Sequence, residues 1–189
     1  DGLLDDHGRT ARISCAATDV LVHRWRAEEQ AIVVGSRTVL QDDPVLTVRH
    51  VTGKQPLRVV LDRGNTAPAS ARIFDNAAPT LLLTGALRND ITAEQHVIAP
   101  EEDPIQAMLR ALHTRGIQSV LVEGGSLLLD HFLRSDRWDE ARVITGTARF
   151  GAGTSAPTID LPPERTFASG TDRIGYFLNG QHAAPGWDW

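Results

Sequence analysis

The segment from Gln30 to Arg49 constrains this chain more than any other. Four apolar residues, Ala31 to Val34, are stopped by Gly35, which is the pattern of a short strand buried on both faces. Gly35 permits a turn, or a close approach of backbone to ligand, that a Cβ would block. Thr38 and Gln41 have the spacing of a capping box, predicting one short helical turn that opens at Thr38. Pro44 disfavours helical geometry at Asp43 and ends that turn, and Leu46 to Arg49 reads as extended. Ser36, Thr38, Asp42, Asp43, Thr47 and Arg49 then crowd just past the carboxyl end of a buried strand, where open α/β sheets place ligands. On the residues alone a solvated loop and a binding site fit this stretch equally well.

Around this segment strands and helices alternate. Thr18 or Asp19 can cap a helix running to about Glu28, with Leu21, Val22 and Trp25 as its apolar stripe and His23, Arg24 and Glu28 elsewhere. Arg26 lies near its end, where a cation is favoured by the dipole. Leu57–Asp62 and Thr80–Thr84 read as strands, residues 64–78 as irregular loop, and Val97-Ile98 as a short strand. Asp103-Pro104 starts a helix that Gly116 stops, with Ile105, Met108, Leu109 and Leu112 facing the core. Ile117 to Val122, Glu123-Gly124-Gly125 and Ser126 to about Arg134 read as strand, diglycine turn and helix. Beyond Trp138 the chain turns strand-rich: Glu140 to Thr147, then Thr166–Ala168 and Ile174–Leu178 as an antiparallel pair. This order predicts an α/β fold of three layers, with a mainly parallel central sheet and antiparallel strands at one edge.

With 189 residues the chain can bury a sizeable core as one domain. Its net charge of -5 argues against nucleic acid or an anionic membrane as partner. No apolar run approaches a membrane span, and the first residues lack a secretory signal pattern. One cysteine, Cys15, excludes an intrachain disulfide and a multi-cysteine metal site. The reading is a cytoplasmic domain, and its start on Asp1-Gly2 without methionine reads as a fragment of a longer polypeptide.

There is no nucleophile elbow, no Gly-x-x-x-x-Gly-Lys-Ser/Thr loop, and no Gly-x-Gly-x-x-Gly between strand and helix. Positive evidence sits at two strand ends. One carries Thr38, Asp42 and Arg49; the other carries Glu123 and the diglycine turn. Glycines leading into a helix start make an anion site, or else merely allow tight packing of helix on strand. Such groups suit a dinucleotide pyrophosphate together with a second phosphorylated molecule. They do not choose between hydride transfer and simple binding.

The same stretches resemble the reductase domain of the riboflavin-biosynthesis deaminase-reductase family, whose pattern is a buried strand, Gly-x-x-Thr, then Asp-Asp/Asn-Pro-x-Leu-x-x-Arg. Val22-His23-Arg24-Trp25-Arg26-Ala27 resembles the family's Leu/Trp-Arg-Ala helix end, and Phe150-Gly151 through Pro157 its Gly-x-Gly-then-proline loop. The resemblance implies a dihydrofolate-reductase-like fold, a homodimer, and NADPH-dependent reduction of the ribosyl group of 5-amino-6-(5-phosphoribosylamino)uracil to ribityl. It assigns Thr38, Asp42 and the backbone of Gly125, Ser126, Leu127, Leu128 and Leu129 to the cofactor. Thr10, Arg26, Leu46, Arg49 and Glu123 fall to the small phosphorylated pyrimidine substrate, with Arg49 on its phosphate and Glu123 accepting from ring N–H groups. Asp42 and Glu123 are the catalytic candidates, Asp42 as a proton donor. Arg63 and Arg88 are candidates for the 2′-phosphate of NADPH. Arg12 stands where the family has a Trp, and the upstream zinc deaminase signature of bacterial members has no counterpart in these residues. Two other readings compete: a catalytically silent nucleotide-binding or dimerisation domain, and a reductase of a related diaminopyrimidinone or pterin.

Overall fold

A computed structural model of the chain describes residues 1–7, 9 and 11–180. The chain divides into two compact units, Val20–Leu128 and a second that joins Asp1–Asp19 to the chain from Leu129 onward. The helix α1 (Ala16–Glu28) begins ahead of both expected caps. Neither Thr18 nor Asp19 caps it. Thr18 is fully buried and its hydroxyl donates to the Ser169 carbonyl, while Asp19 lies in the first turn and accepts from Ser14 and Arg12.

In the unit Val20–Leu128 the elements follow as β1 (Ala31–Gly35), α2 (Ser36–Asp42), β2 (Leu57–Asp62), a 3₁₀ turn (Arg72–Phe74), β3 (Thr80–Thr84), β4 (Glu94–Val97), α3 (Pro104–Thr114) and β5 (Val120–Gly124). The five strands form one parallel sheet in the order β4-β3-β2-β1-β5. Ala31 to Val34 are wholly buried, as are Val59, Val60 and Leu81 to Leu83, so the apolar runs mark strands covered on both faces. Ile32, Val34, Val60 and Leu82 share one core cluster with Val39 of α2, Leu46 and Ile73. The side chains between them in sequence point to the opposite face. Asp103 caps α3 by accepting from the Gln106 N–H, and Gly116 just past its end takes φ +75°. Chain order carries the strands outward from β1 to β4, then back across to β5 on the other flank of β1. The strand order therefore reverses at β1, and open parallel sheets place ligands past the carboxyl ends of strands at such a point.

Several local expectations give way here, among them β5, which starts at Val120 and not at Ile117. α2 starts at Ser36, with Gly35 as its cap and no capping side chain, because Thr38 turns its hydroxyl toward the diglycine turn instead of toward its own backbone. Leu46 to Arg49 is not a strand; Leu46 takes φ +54° and the segment is irregular. β4 lies at Glu94–Val97, not at Val97-Ile98; the Ile98 N–H still reaches the Thr84 carbonyl at 2.8 Å, continuing the ladder past the strand.

In the second unit, β6 (Glu140–Thr145), β7 (Arg165–Ser169) and β8 (Asp172–Leu178) follow α4 (Ser126–Arg134) and pair antiparallel among themselves in the order β6-β8-β7. β6 stops at Thr145, short of the expected Thr147. A Cβ on Gly146 would stand 2.1 Å from the Ile13 carbonyl oxygen, so the chain is pressed against that backbone there. Asp172, buried on β8, accepts from the Cys15 N–H at 2.7 Å, just ahead of α1, where the dipole favours a carboxylate. The tail from Gln181 to Trp189, read from sequence as surface-bound, lies outside the described residues.

One buried cation braces the parallel sheet. Arg58 on β2 has no exposed side-chain surface. It donates to Thr80 Oγ1, the Val45 carbonyl, Asp75 Oδ1 and the Ala78 carbonyl. Arg58→Leu should remove one donor from each of these acceptors and cost on the order of 2–4 kcal/mol in urea unfolding; a loss under about 1 kcal/mol would show that solvent replaces it. Asp172 and Asp75 are carboxyls that tie the stability of the fold to pH. Burial alone would raise the pKa of Asp172, but the bonds from the Cys15 backbone and the Thr18 hydroxyl outweigh it and hold it low. The Ala77 N–H holds that of Asp75 low, with a smaller contribution from Arg58. A depressed carboxyl stabilises the fold above its unfolded value, near 4, and that contribution disappears as pH falls through the folded value. Urea midpoints should therefore fall between about pH 5 and pH 3, and fall less in Asp172→Asn and Asp75→Asn.

Candidate functional site

The segment Asp43–Arg49 leaves α2 with Asp43 in the left-handed region, at φ +41°, and joins no strand or helix. Its backbone polar groups are instead taken by side chains from elsewhere in the same unit. Arg72 donates to the Asp43 carbonyl, Arg58 to that of Val45, and Arg26 to that of Thr47. Gln55 grips both polar groups of Val48, at 2.8 and 2.9 Å. His23 Nδ1 accepts the Arg49 N–H at 3.0 Å. Buried backbone must be paired, and here the pairing also fixes where the loop's side chains stand.

His23 is a correction to the sequence reading. It was expected off the apolar stripe of α1, yet it is 4% exposed and its ring meets that of His50 edge-on at 4.4 Å. The gain from the Arg49 bond explains its burial.

Near the carboxyl end of β5, Arg26 and Glu123 form a bidentate pair. Arg26 Nε reaches Oε1 and Nη2 reaches Oε2, both at 2.6 Å, and the side chains are 12% and 19% exposed. Glu123 is the penultimate residue of β5 and Arg26 lies in the last turn of α1. A carboxylate has about four acceptor positions, and the guanidinium fills two. Arg49 donates to Thr47 Oγ1 at 3.0 Å and meets no carboxylate among the described residues. Arg26, Pro44, Val45, Leu46, Arg49 and Arg72 line a cavity of about 360 Å³. Arg26 is neutralised by Glu123 and Arg72 by Asp43, so Arg49 leaves the cavity with a net positive charge.

Beside this, Thr38 Oγ1 stands 3.1 Å from where a Cβ on Gly125 would be, and 4.0 Å from that of Gly124. The Gly124-Gly125 peptide is cis, and α4 opens at Ser126 directly after it. Asp42 is exposed at the end of α2, four residues on from Thr38 and so on the same helix face.

The structure thus brings Arg26, Leu46, Arg49 and Glu123 together, and sets Thr38 against Gly125. Ser126 is half-buried, Leu127 exposed and Leu128 buried, while Leu129 belongs to the other unit. Asp42 does not line the cavity. Thr10 lies outside the described residues. Arg12 is exposed and pairs with Asp19. Arg88 is held by Asp90 and approaches Asp62 at 4.0 Å, while Arg63 donates to the Pro100 carbonyl; neither cation reaches toward the cavity lining. Sequence reading missed Arg72, Arg58, Gln55 and His23. A signal existed for Arg58, since a lone cation inside a strand buried on both faces needs partners. For the others none did, because their partners are scattered along the chain.

Among the described residues no cluster of His, Cys, Asp and Glu could hold a metal ion, and no helix is long and apolar enough to cross a membrane. The donor set fits a nucleotide cofactor. It provides a hydroxyl over a glycine too crowded to bear a Cβ freely, and a helix start for phosphate.

The family model described as the RibD C-terminal domain matches residues 1–168. The 2,5-diamino-6-ribosylamino-4(3H)-pyrimidinone 5′-phosphate reductase of Archaeoglobus fulgidus is 36% identical over 177 residues, covering 84% of this chain and 80% of that protein. The riboflavin biosynthesis protein RibD of Chlamydia pneumoniae is 38% identical over 150 residues, covering 69% of this chain but 40% of that protein. The crystal structure of a diaminohydroxyphosphoribosylaminopyrimidine deaminase/5-amino-6-(5-phosphoribosylamino)uracil reductase from Thermotoga maritima superposes with a TM-score of 0.80 at 28% identity, covering 94% of this chain and 53% of that one. The chain therefore spans about half the length, or less, of these last two relatives.

His23 can be tested without touching the cavity. His23→Leu removes the acceptor for the Arg49 N–H and should raise the KM for an anionic ligand about tenfold with little change in kcat, while His23→Asn, which restores an acceptor, should recover most of that. Equal losses in both variants would mean that packing of the ring matters and the bond does not.

Proposed function

The chain belongs to the RibD C-terminal domain family, and on that premise we propose that it reduces the ribosyl group of 5-amino-6-(5-phosphoribosylamino)uracil to ribityl at the expense of NADPH. In this reading the 189 residues act as one reductase domain. The observation that carries it is the Arg26–Glu123 pair beside the Arg49-bearing cavity, at the point where the strand order reverses.

NADPH held there would supply a hydride, which C1′ of the sugar would accept as its bond to the ring oxygen opens and that oxygen takes a proton. The chain's own residues supply position and charge. Arg49, bidentate and always cationic, takes the substrate phosphate. Glu123 keeps two acceptor positions open for ring N–H donors, and Arg26 holds it in place from both oxygens. Leu46, 3% exposed, forms the apolar wall. Thr10 is assigned to the substrate as well. Thr38 and the backbone from Gly125 to Leu129 hold the cofactor phosphates, the latter through the N–H groups of a helix start. Asp42, one turn along from Thr38, serves the cofactor and the reacting sugar, and is the proton donor of this reading. The enzyme works as a homodimer in the cytoplasm.

A second reading has its own support. The archaeal relative, of which this chain covers four fifths, is named for a 2,5-diaminopyrimidinone in place of the uracil. Both rings offer N–H donors, so one carboxylate serves either. Purified protein should oxidise NADPH when either the phosphoribosylamino-uracil or its diamino counterpart is added, and competition between the two names the preferred one. Glu123→Gln should lower kcat/KM about 10–100-fold with the fold intact, the worth of a charged hydrogen bond. NADPH bound but never oxidised would identify a silent binding domain and end this proposal.

A further inference from the structure

Arg72 lies in the 3₁₀ turn of the irregular segment 64–78, to which sequence gave no role, yet it lines the same cavity as Arg26 and Arg49. Its donated hydrogen bonds all run to one residue. The Arg72 N–H donates to Asp43 Oδ1 at 2.8 Å. Its Nε donates to Asp43 Oδ2 at 3.1 Å and to the Asp43 carbonyl at 2.9 Å, and its Nη2 donates to that carbonyl at 2.5 Å. A guanidinium carries five N–H donors. These bonds engage Nε and one hydrogen of Nη2. Both hydrogens of Nη1 and the second of Nη2 meet no acceptor among the described residues. The side chain is 59% exposed, so the outward edge of the fork remains hydrated at the cavity rim. That Nη1/Nη2 edge is one with which arginine grips two oxygens of a phosphate.

The geometry points to Arg72 as a specificity-determining residue: with Arg49 it takes the 5′-phosphate of the sugar substrate and makes the site reject the dephosphorylated compound. This rests on the reading of the cavity as the sugar-phosphate site, and adds the residue that enforces the phosphate requirement. Asp43 plays the positioning part. It clamps the inner edge of the fork and turns the outer edge toward the ligand, and its own N–H, bonded to the Val39 carbonyl, ties it to the end of α2. Arg26 is a poorer candidate for the phosphate, since Glu123 already takes its Nε and Nη2 donors and the Thr47 carbonyl an Nη1 donor.

The test compares Arg72→Gln, Arg72→Lys and Asp43→Asn in the full chain, with phosphorylated and dephosphorylated substrate. Arg72→Gln should raise KM for the phosphorylated substrate about 10–100-fold, leave kcat within about twofold, and leave the dephosphorylated compound unaffected. Arg72→Lys should keep part of the discrimination, as a point charge without the fork. Asp43→Asn keeps the guanidinium and the main-chain carbonyl that holds Nε and Nη2, so it should retain the preference for phosphate within about threefold. Equal effects of Arg72→Gln on both substrates, or an Asp43→Asn variant that loses the preference as fully, would reduce Arg72 to a loop clamp and overturn the inference. Titration of inorganic phosphate by calorimetry separates this from the reaction itself. The unmodified chain should bind it at least about tenfold more tightly than Arg72→Gln, whether or not either pyrimidine is reduced. Identical phosphate affinities overturn the role of Arg72 even in an active enzyme.

Discussion

A loop that forms no ladder must find other partners for its backbone, and this requirement shapes the site. Between Asp43 and Arg49, carbonyls and N–H groups are met by Arg72, Arg58, Arg26, Gln55 and His23. These side chains come from α1, β2, the lead-in to β2 and the 3₁₀ turn. Each bond to the loop is therefore also a bond between elements distant in sequence, and Leu46 and Arg49 inherit positions that no local preference of the loop would give them. The buried Arg58 matters most here, since it joins β2 to the loop and to the start of β3 at once.

The Arg26–Glu123 pair shows the same economy on a smaller scale. A partly buried ion pair adds little net stability, because desolvation offsets much of the attraction. Its value lies in geometry. Two parallel N–H···O bonds fix the plane of the Glu123 carboxylate, and the Thr47 contact ties that plane to the loop bearing Arg49. In a reductase of this family, where the cofactor carries the hydride, such placement is the larger part of what the protein contributes.

Strand β1, its stop at Gly35, strands β2 and β3, the capped helix α3 and the diglycine turn into α4 were all legible, because each rests on short-range rules: apolar runs, proline and glycine placement, capping. The same rules failed where a side chain had a better partner elsewhere. Thr38 looked like a cap but faces Gly125, His23 looked solvent-facing but accepts from Arg49, and Leu46 looked extended but takes a left-handed turn into the core. Arg26, Arg49 and Glu123 were named through family resemblance; their spacing by itself left Arg26 a helix-end charge.

By itself the sequence determined the α/β class, the central buried strand, the residue types at two strand ends and the family pattern, since all of these follow from neighbours along the chain. Only the tertiary structure decided that β5 returns to pair with β1, placing Glu123 against Arg26 across 97 positions of sequence. It alone brought Arg72 to the cavity and gave the loop its braces. The reason is that a hydrogen bond or an ion pair is indifferent to chain separation, and no periodicity records which distant donor will meet which acceptor once the core has closed.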